Sequence, residues 1–401
     1  MALLSRAAYP LHAPGGMERA VYHLARSLQA RGAQTVLLTR PPVAGAGTFP
    51  GEVVTVPWSG HEGAGHGRVL DRVRHYPRFA ERLGEAAAAL VRQGRVDVVD
   101  AQGLTALGYA RRRRRDPGLH APLVMNPQGM EEHRTTGVKR FALLPLRRLS
   151  REAARLADRV IATDESTRAD VTTLLGVPPE RVVVIPNGVD PAEIEAATPA
   201  DARAVASAAL PSLSGAAPLL VAVGRLEPYK GFGDVIDAAA RIHATGALGS
   251  AWRLVIVGPG PDRARLERLA APLGPHVVFA GQPTETLLHA LYASADVFVH
   301  GTRFEGSSLV TLEAMAHGLP VVATRAGGIP DKVVEGVTGR LVEPGDVPAL
   351  ADALRDVLAD PERRRAMGAA GRERVRAQFV WSAIVDRVLA LYGSLGVAVP
   401  A

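Results

Sequence analysis

The chain has no cysteine, so disulfides and thiolate metal sites are excluded. Lysine is almost missing as well. Lys139, Lys230 and Lys332 are the only three, so arginine carries nearly all of the cationic side of the +7 formal charge. Aromatic residues make up 4% of the chain and form no platform interleaved with basic residues, which argues against nucleic acid as a partner. No run reaches the roughly 20 apolar residues of a membrane helix. The absence of cysteine fits a cytoplasmic location, and Met1-Ala2-Leu3-Leu4-Ser5 lacks the charged start and cleavage site of a signal peptide and reads as an opening strand. HExxH, CxxC and clustered Asp/His ligand sets are absent, and no metal site is expected. Without a P-loop, a GxGxxG fingerprint or a nucleophile elbow, a simple ATPase, dehydrogenase or serine hydrolase is disfavoured.

What is present is alternation. With 401 residues, 47% of them hydrophobic, the chain can build two ordinary cores. Short β-branched runs at 34–39, 96–100, 123–126, 159–163 and 182–186 predict one strand series, and those at 219–223, 253–257, 277–280, 297–300 and 320–324 predict a second. Helical stretches such as 18–31, 234–243 and 262–273 fall between them. Apolar strands alternating with helices imply an α/β fold of parallel, doubly covered sheets. The Ala/Pro/Ser-rich region 190–218 holds no strand pattern, separates the two series and reads as the domain boundary plus some variable helix. The expected domains are 1–190, joined by a C-terminal helix at about 381–399, a linker region at 191–217, and 218–380. No fixed-period repeat is visible.

The basic residues have both a plain and a functional reading. Arginine bias alone produces such a balance, and the run Arg111–Arg115 fits a solvated helix face. The stretch 139–151 mixes Lys139, Arg140, Arg147, Arg148 and Arg151 with Phe141, Leu143, Leu144, Leu146 and Leu149, a mixture suited to an anionic membrane surface.

Ligands of open α/β sheets bind beyond the carboxyl ends of strands, where helix starts offer free N–H groups. Four segments fall at such places. Gly15 and Gly16 lead into the first helix and allow backbone to approach a phosphate. In Gly224-Arg225-Leu226-Glu227-Pro228-Tyr229-Lys230-Gly231, Arg225 and Lys230 flank one strand end. A lysine kept in a chain that otherwise avoids lysine suits a point charge on phosphate. Gly258 and Gly260 form a turn that either admits a flat ring or is simply structural. Finally, Phe304 to Ala323 reads FEGSSLVTLEAMAHGLPVVA. A helix beginning after Glu305 would expose the N–H groups of Gly306, Ser307, Ser308 and Leu309 to an anion. Eight residues of helix turn by about 80° and rise about 12 Å. Glu305 and Glu313 are therefore spaced to touch different parts of one long ligand, unlike a glycosidase pair flanking one bond. His243, His289 and His317 lie in helical patterns and read as structural.

Together these residues resemble the family 4 retaining glycosyltransferases, over nearly the whole chain from Gly15 to about Trp381. The most specific stretches are GRLEPYKGF, IPNGVD at 185–190 and EGSSLVTLEAMAHGLPVVATRAGGIPD ending at Asp331. The resemblance implies a GT-B fold, two Rossmann-like domains facing across a deep interdomain cleft. It implies Arg225 and Lys230 on the donor diphosphate, Glu305 on the donor sugar and Glu313 on the ribose. It places Gly15 and Gly16 beside the phosphate, the 258–261 turn near the base, and the last helix in a domain-bridging role. The reaction implied is transfer of a hexose-like sugar from a UDP- or GDP-linked donor to a hydroxyl of a glycan, lipid or small molecule, with retained configuration and no cofactor beyond the donor, in cell-envelope or secondary-metabolite glycan synthesis. Where many relatives place a histidine beside the reacting sugar, the segment Asn126-Pro127-Gln128-Gly129 has Gln128, which can keep a hydrogen bond but cannot become cationic; His133, five residues on, is either its catalytic substitute or an ordinary surface histidine. Gly-Ser-Ser follows Glu305 in place of the frequent Gly-Phe-Gly. An epimerase on the same scaffold, or a nucleotide-sugar-binding regulator without catalysis, are the alternatives.

Overall fold

The computed structural model describes residues 1–12, 15–60, 68–128, 130–134 and 138–400. They divide into two compact units, Met1–Asn187 with Trp381–Ala401, and Gly188–Val380.

The first unit is built on a seven-stranded sheet: β1 (Ala2–Leu4), β2 (Val36–Thr39), β3 (Glu52–Thr55), β4 (Val99–Gln102), β5 (Leu123–Asn126), β6 (Arg159–Ala162) and β7 (Val182–Val184). Every pairing is parallel, in the order β3-β2-β1-β4-β5-β6-β7. Two apolar clusters cover its faces. One contains Leu4, Leu38, Ala101, Leu123 and Val160, and the other Leu3, Leu37, Val124, Ile161 and the C-terminal helix Trp381–Ser394. Burial on both faces is why these strands read as continuous apolar runs. β3 escapes the sequence reading because it is an edge strand whose ends, Glu52 and Thr55, are exposed.

The second unit has six parallel strands: β8 (Leu219–Val223), β9 (Arg253–Val257), β10 (Val277–Gly281), β11 (Val297–His300), β12 (Val321–Thr324) and β13 (Gly339–Val342). Their order is β10-β9-β8-β11-β12-β13. In each sheet the strand order reverses at one place, between β1 and β4 and between β8 and β11, and the ligand crevice of a doubly wound sheet opens at that reversal.

Residues 191–217 are not a free linker. Asp190 caps the helix Pro191–Ala197 by accepting from the N–H of Ala192 at 2.9 Å, and Asp201 caps Ala202–Ala209 through Ala204 N–H at 2.9 Å. Ala206 and Leu213 then enter the second unit's core. The division between the two units falls just before this region, at Asn187/Gly188, and the caps and the buried leucine make its helices part of the second unit.

Candidate functional site

In the second unit the loops after β8 and β11, either side of the strand-order reversal, bring Lys230 and Glu305 together. Lys230 Nζ lies 2.8 Å from Glu305 Oε2, with only 15% and 11% of the two side chains exposed. The backbone enforces this. Arg303 N–H donates to the Tyr229 carbonyl at 2.8 Å, and a Cβ on Gly231 would stand 1.8 Å from the Gly301 carbonyl, so only glycine lets the two loops meet. A third group completes the cluster. His300, the last residue of β11 and 2% exposed, places Nε2 2.8 Å from the same Glu305 oxygen. An ionised carboxylate only accepts, so that nitrogen carries the hydrogen. Burial would raise the Glu305 carboxyl, but the His300 hydrogen bond and the Lys230 charge outweigh it and hold the group at about 2. Glu305 therefore presents a permanently ionised carboxylate at the ligand end of the sheet.

The helix after it spans Leu309–Ala316, starting three residues later than the exposed N–H groups from Gly306 onward required. Gly306 N–H turns back to Glu305 Oε1 at 3.2 Å and Ser308 N–H to the Gly306 carbonyl at 3.1 Å, so those two donors are occupied. The first N–H groups of the helix proper, from Leu309 on, have no carbonyl one turn back. Ser308 Oγ bonds Thr311 Oγ1 at 2.8 Å instead of capping. Glu313 lies within this helix, where the buried Tyr292 hydroxyl donates to its Oε2 at 3.1 Å. Tyr292 in turn stacks on His317, and His317 Nε2 meets His289 Nδ1 at 2.9 Å. Burial, then His289 and Arg372, push the His317 imidazole down to about 3, so His317 is neutral and packs, as its helical position suggested.

Arg225 is exposed and donates to the Tyr229 hydroxyl at 3.2 Å. Gly258 and Gly260 lie against the backbone that follows β8, at Gly224 and Leu226. A Cβ on Gly258 would meet the Gly224 carbonyl at 2.0 Å, and one on Gly260 the Leu226 carbonyl at 2.3 Å. Their bareness lets two loops pack backbone to backbone, which favours the structural reading of the 258–261 turn.

The first unit places its own candidates beyond the strand ends. Gly15 is the extended residue before the helix Gly16–Ala30, with no side-chain cap; Ala13 and Pro14 of that loop lie outside the described residues. Gln128 follows β5 with φ of 55°, a left-handed conformation rare for a side-chain-bearing residue, and Gly129 beside it lies outside the described residues. Gln128 Nε2 donates to Gln102 Oε1 at 2.7 Å. His133 N–H donates to the Met130 carbonyl at 2.9 Å, and burial followed by Arg151 and Arg147 lowers its imidazole against an opposing pull from Glu132. Among the described residues no hydrogen bond joins His133 to Gln128.

Two family models match the chain, glycosyltransferase family 4 over residues 14–193 and glycosyl transferases group 1 over 212–374. Glycogen synthase of Mycobacterium tuberculosis is 31% identical over 409 residues, covering 96% of this chain and 92% of that protein. The chain belongs to glycosyltransferase family 4. A GDP-mannose-dependent alpha-(1-6)-phosphatidylinositol monomannoside mannosyltransferase of Mycolicibacterium smegmatis is 37% identical over 252 residues, 60% of this chain and 64% of that one. The chain spans about half to just under two thirds of the length of the mannosyltransferases it matches. Sucrose-phosphate synthase from Thermosynechococcus elongatus superimposes with a TM-score of 0.78 at 26% identity over 98% of both chains, and shares the GT-B fold of paired Rossmann-like domains.

Within this family 4 chain the arginine run turns out to be ordinary. Arg111 is held by Glu152 at 2.7 Å and Glu81 at 2.9 Å, Arg112 by Glu81, and Arg113 by Asp158. Arg147 is buried, donating to the Glu132 carbonyl at 2.6 Å, so it cannot belong to a lipid-facing surface. Sequence reasoning missed His300 and Tyr292, the two groups that hold the paired glutamates. For His300 a signal existed: a polar residue closing an otherwise apolar, fully buried strand at its ligand end.

Proposed function

We propose that the protein transfers a hexose-like sugar from a UDP- or GDP-linked donor to an acceptor hydroxyl with retained configuration. The observation that carries this reading is the Lys230–Glu305–His300 cluster at the strand-order reversal of the second unit, with a helix start next to it. Glu305, ionised and fixed, accepts hydrogen bonds from donor-sugar hydroxyls, and Glu313 those of the ribose. Arg225, Lys230 and the first N–H groups of the helix Leu309–Ala316 offset the charge that grows on the departing diphosphate, so no metal is called for at that step. The bond from the anomeric carbon to the diphosphate oxygen breaks, the acceptor oxygen bonds to that carbon on the same face, and the acceptor proton passes to the departing phosphate oxygen. The first unit, with Gly15, Gly16 and Gln128 beyond its strands, takes the acceptor side.

A thermal-shift panel of GDP-mannose, UDP-glucose and ADP-glucose, with their nucleoside diphosphates, tests the donor half. One base should raise the melting temperature clearly over the others, because a ligand stabilises the state it binds. No shift with any of them would sink the reading. Release of nucleoside diphosphate only after an acceptor is added separates transfer from epimerisation or mere binding.

We also infer peripheral contact with an anionic membrane, consistent with a cytoplasmic location. Among the described residues no helix is long and apolar enough to cross a membrane. Phe141 is 71% and Leu144 41% exposed, with exposed Arg140, Arg148 and Arg151 around them. Such apolar tips in a basic ring suit an acidic headgroup layer. Phe141→Ser with Leu144→Ser should abolish co-sedimentation with phosphatidylglycerol vesicles while leaving the melting temperature unchanged. Equal sedimentation of wild type with neutral vesicles would overturn the electrostatic part.

A further inference from the structure

Among the described residues Asp100 is the one acid placed within the interior of the first sheet. It lies mid-strand in β4, paired in register with Leu3 of β1 and Val124 of β5, and is 1% exposed. Side chains alternate along a strand, so Asp100 and Gln102 share one face. Around Asp100 that face is largely apolar: Leu3, Val98, Val124, Ile161, Ile384 and Val388 belong to its cluster. Among the described residues no cation pairs with Asp100. Its oxygens instead accept from the Tyr392 hydroxyl at 2.8 Å and from Gln102 Nε2 at 3.1 Å. A buried carboxylate without a cation costs stability, which marks a position kept for something other than packing.

The bonds continue outward. Gln102 gives an N–H to Asp100, so its Oε1 faces away and accepts from Gln128 Nε2 at 2.7 Å. Gln128 N–H is pinned to Asn126 Oδ1 at 3.1 Å, and Gln128 (φ 55°) and Met130 (φ 47°) are each held in the left-handed region, which strains both residues. Strain of this kind gathers at ligand sites. A cavity of about 30 Å³, enough for a single water, is lined by Asp100, Gln102, Asn126, Gln128 and Asn187. The chain thus runs Tyr392, Asp100, Gln102, Gln128, from the C-terminal helix to the mouth of the sheet.

We propose that Asp100 and Gln102 are positioning residues which decide, through two amides in series, which end of the Gln128 side chain is left to meet a ligand hydroxyl. With Asp100 ionised, both its oxygens accept, Gln102 is oriented N–H inward, and Gln128 must spend an N–H on Gln102. Its Oε1 is then the end the chain of bonds leaves unused, an acceptor for a sugar or acceptor hydroxyl. With Asp100 protonated, its O–H donates to Gln102 Oε1. Both amides reverse, and Gln128 offers N–H instead. Burial pushes the Asp100 carboxyl up to about 6, against the pull of the Tyr392 and Gln102 hydrogen bonds, so the reversal falls near neutral pH. The groups facing Asp100 do not compete. Ala20, Val21 and Leu24 come from the first helix, whose His23 stacks on Trp381, and Tyr392 is held well above its ordinary value and keeps its proton.

The test reads the amides directly. In protein carrying ¹⁵N-glutamine, the side-chain NH₂ signals of Gln102 and Gln128 are assigned by Gln102→Ala and Gln128→Ala and followed from about pH 4.5 to about 8. Both signals should move with one shared midpoint near 6 and stay flat in Asp100→Asn. Tyr392→Phe, which removes a hydrogen bond from the carboxylate, should move the midpoint upward. A Gln128 signal that ignores pH, or that still titrates in Asp100→Asn, overturns the relay. The role of Gln128 toward a hydroxyl rests on the transferase reading, but the amide signals need no substrate. A protein that fails every donor in the thermal-shift panel still supports or sinks the relay by this measurement.

Discussion

Lys230→Ala is expected to lower turnover about a hundredfold to a thousandfold, the usual loss when one preorganised donor to a developing negative charge is removed. The structure assigns Lys230 a second contact, since its ammonium holds Glu305 at 2.8 Å. Two explanations for the same loss must therefore be separated. If Lys230 acts only by clamping Glu305, then Glu305→Gln should match it and the double variant should be no worse, because groups acting as one unit are not additive. If Lys230 also holds the diphosphate, Lys230→Ala weakens binding of the plain nucleoside diphosphate about tenfold or more, while Glu305→Gln, at a residue that the proposed complex places on the sugar, does not. Calorimetry with the nucleoside diphosphate decides between them. Unchanged affinity in Lys230→Ala together with normal turnover would remove the residue from the mechanism.

The same cluster gives the sign of a pH effect. The Glu305 carboxyl is lowered in the folded protein, from its ordinary 4.5 to about 2, so its stabilising contribution is complete above 4.5 and disappears as pH falls through 2. The shift corresponds to on the order of 3 kcal/mol. Asp100 has the opposite sign. Its carboxyl is raised, so the folded state binds the proton more tightly, and stability falls as pH rises from about 4 towards 6.

How far the chain could be read beforehand follows from where each signal resides. The second series of strands stood out because burial on both faces of a parallel sheet leaves unbroken Val, Ile and Leu runs, as in Leu219–Val223 and Arg253–Val257. β13 was passed over because Gly339 and Arg340 dilute a four-residue edge strand. Glu305 and Lys230 were legible as motif members, but their mutual contact was not, since 75 residues separate them and only the loop crossing at Gly231 and Gly301 joins them. The network behind Gln128 was hidden for the same reason. Asp100 and Tyr392 are 292 residues apart, and a single acid at the end of an apolar run looks like a strand terminus until the register places it between Leu3 and Val124. The start of the helix after Glu305 was misplaced because Gly306 and Ser308 bond locally, a choice small polar residues make in competition with helix.

Gly327→Ala is expected to cost about 3–4 kcal/mol and to destroy donor binding along with it. Gly327 has φ of 52°, and a Cβ there would stand 1.8 Å from the Glu305 carbonyl oxygen. Both parties are backbone, so no rotamer change relieves the overlap, and what must move is the loop that aims the Glu305 carboxylate. Two neighbours divide the cost into its parts. Gly336 has φ of 74° with open space around it, so Gly336→Ala pays only the left-handed strain of about 1–2 kcal/mol. Gly306 has neither a left-handed φ nor any atom within 4 Å of an added Cβ, so Gly306→Ala should leave stability within about 0.5 kcal/mol of wild type. In the proposed complex, though, that open space beside Glu305 belongs to the donor, and the methyl should weaken sugar-nucleotide binding without touching the fold. Urea melts and donor titrations on the three variants separate the terms. Gly327→Ala must be clearly less stable than Gly336→Ala, and Gly306→Ala must melt like wild type yet bind donor more weakly. Wild-type donor affinity in Gly306→Ala would mean the sugar nucleotide does not lie against this turn, and the grip assigned to Glu305 would have to be moved elsewhere.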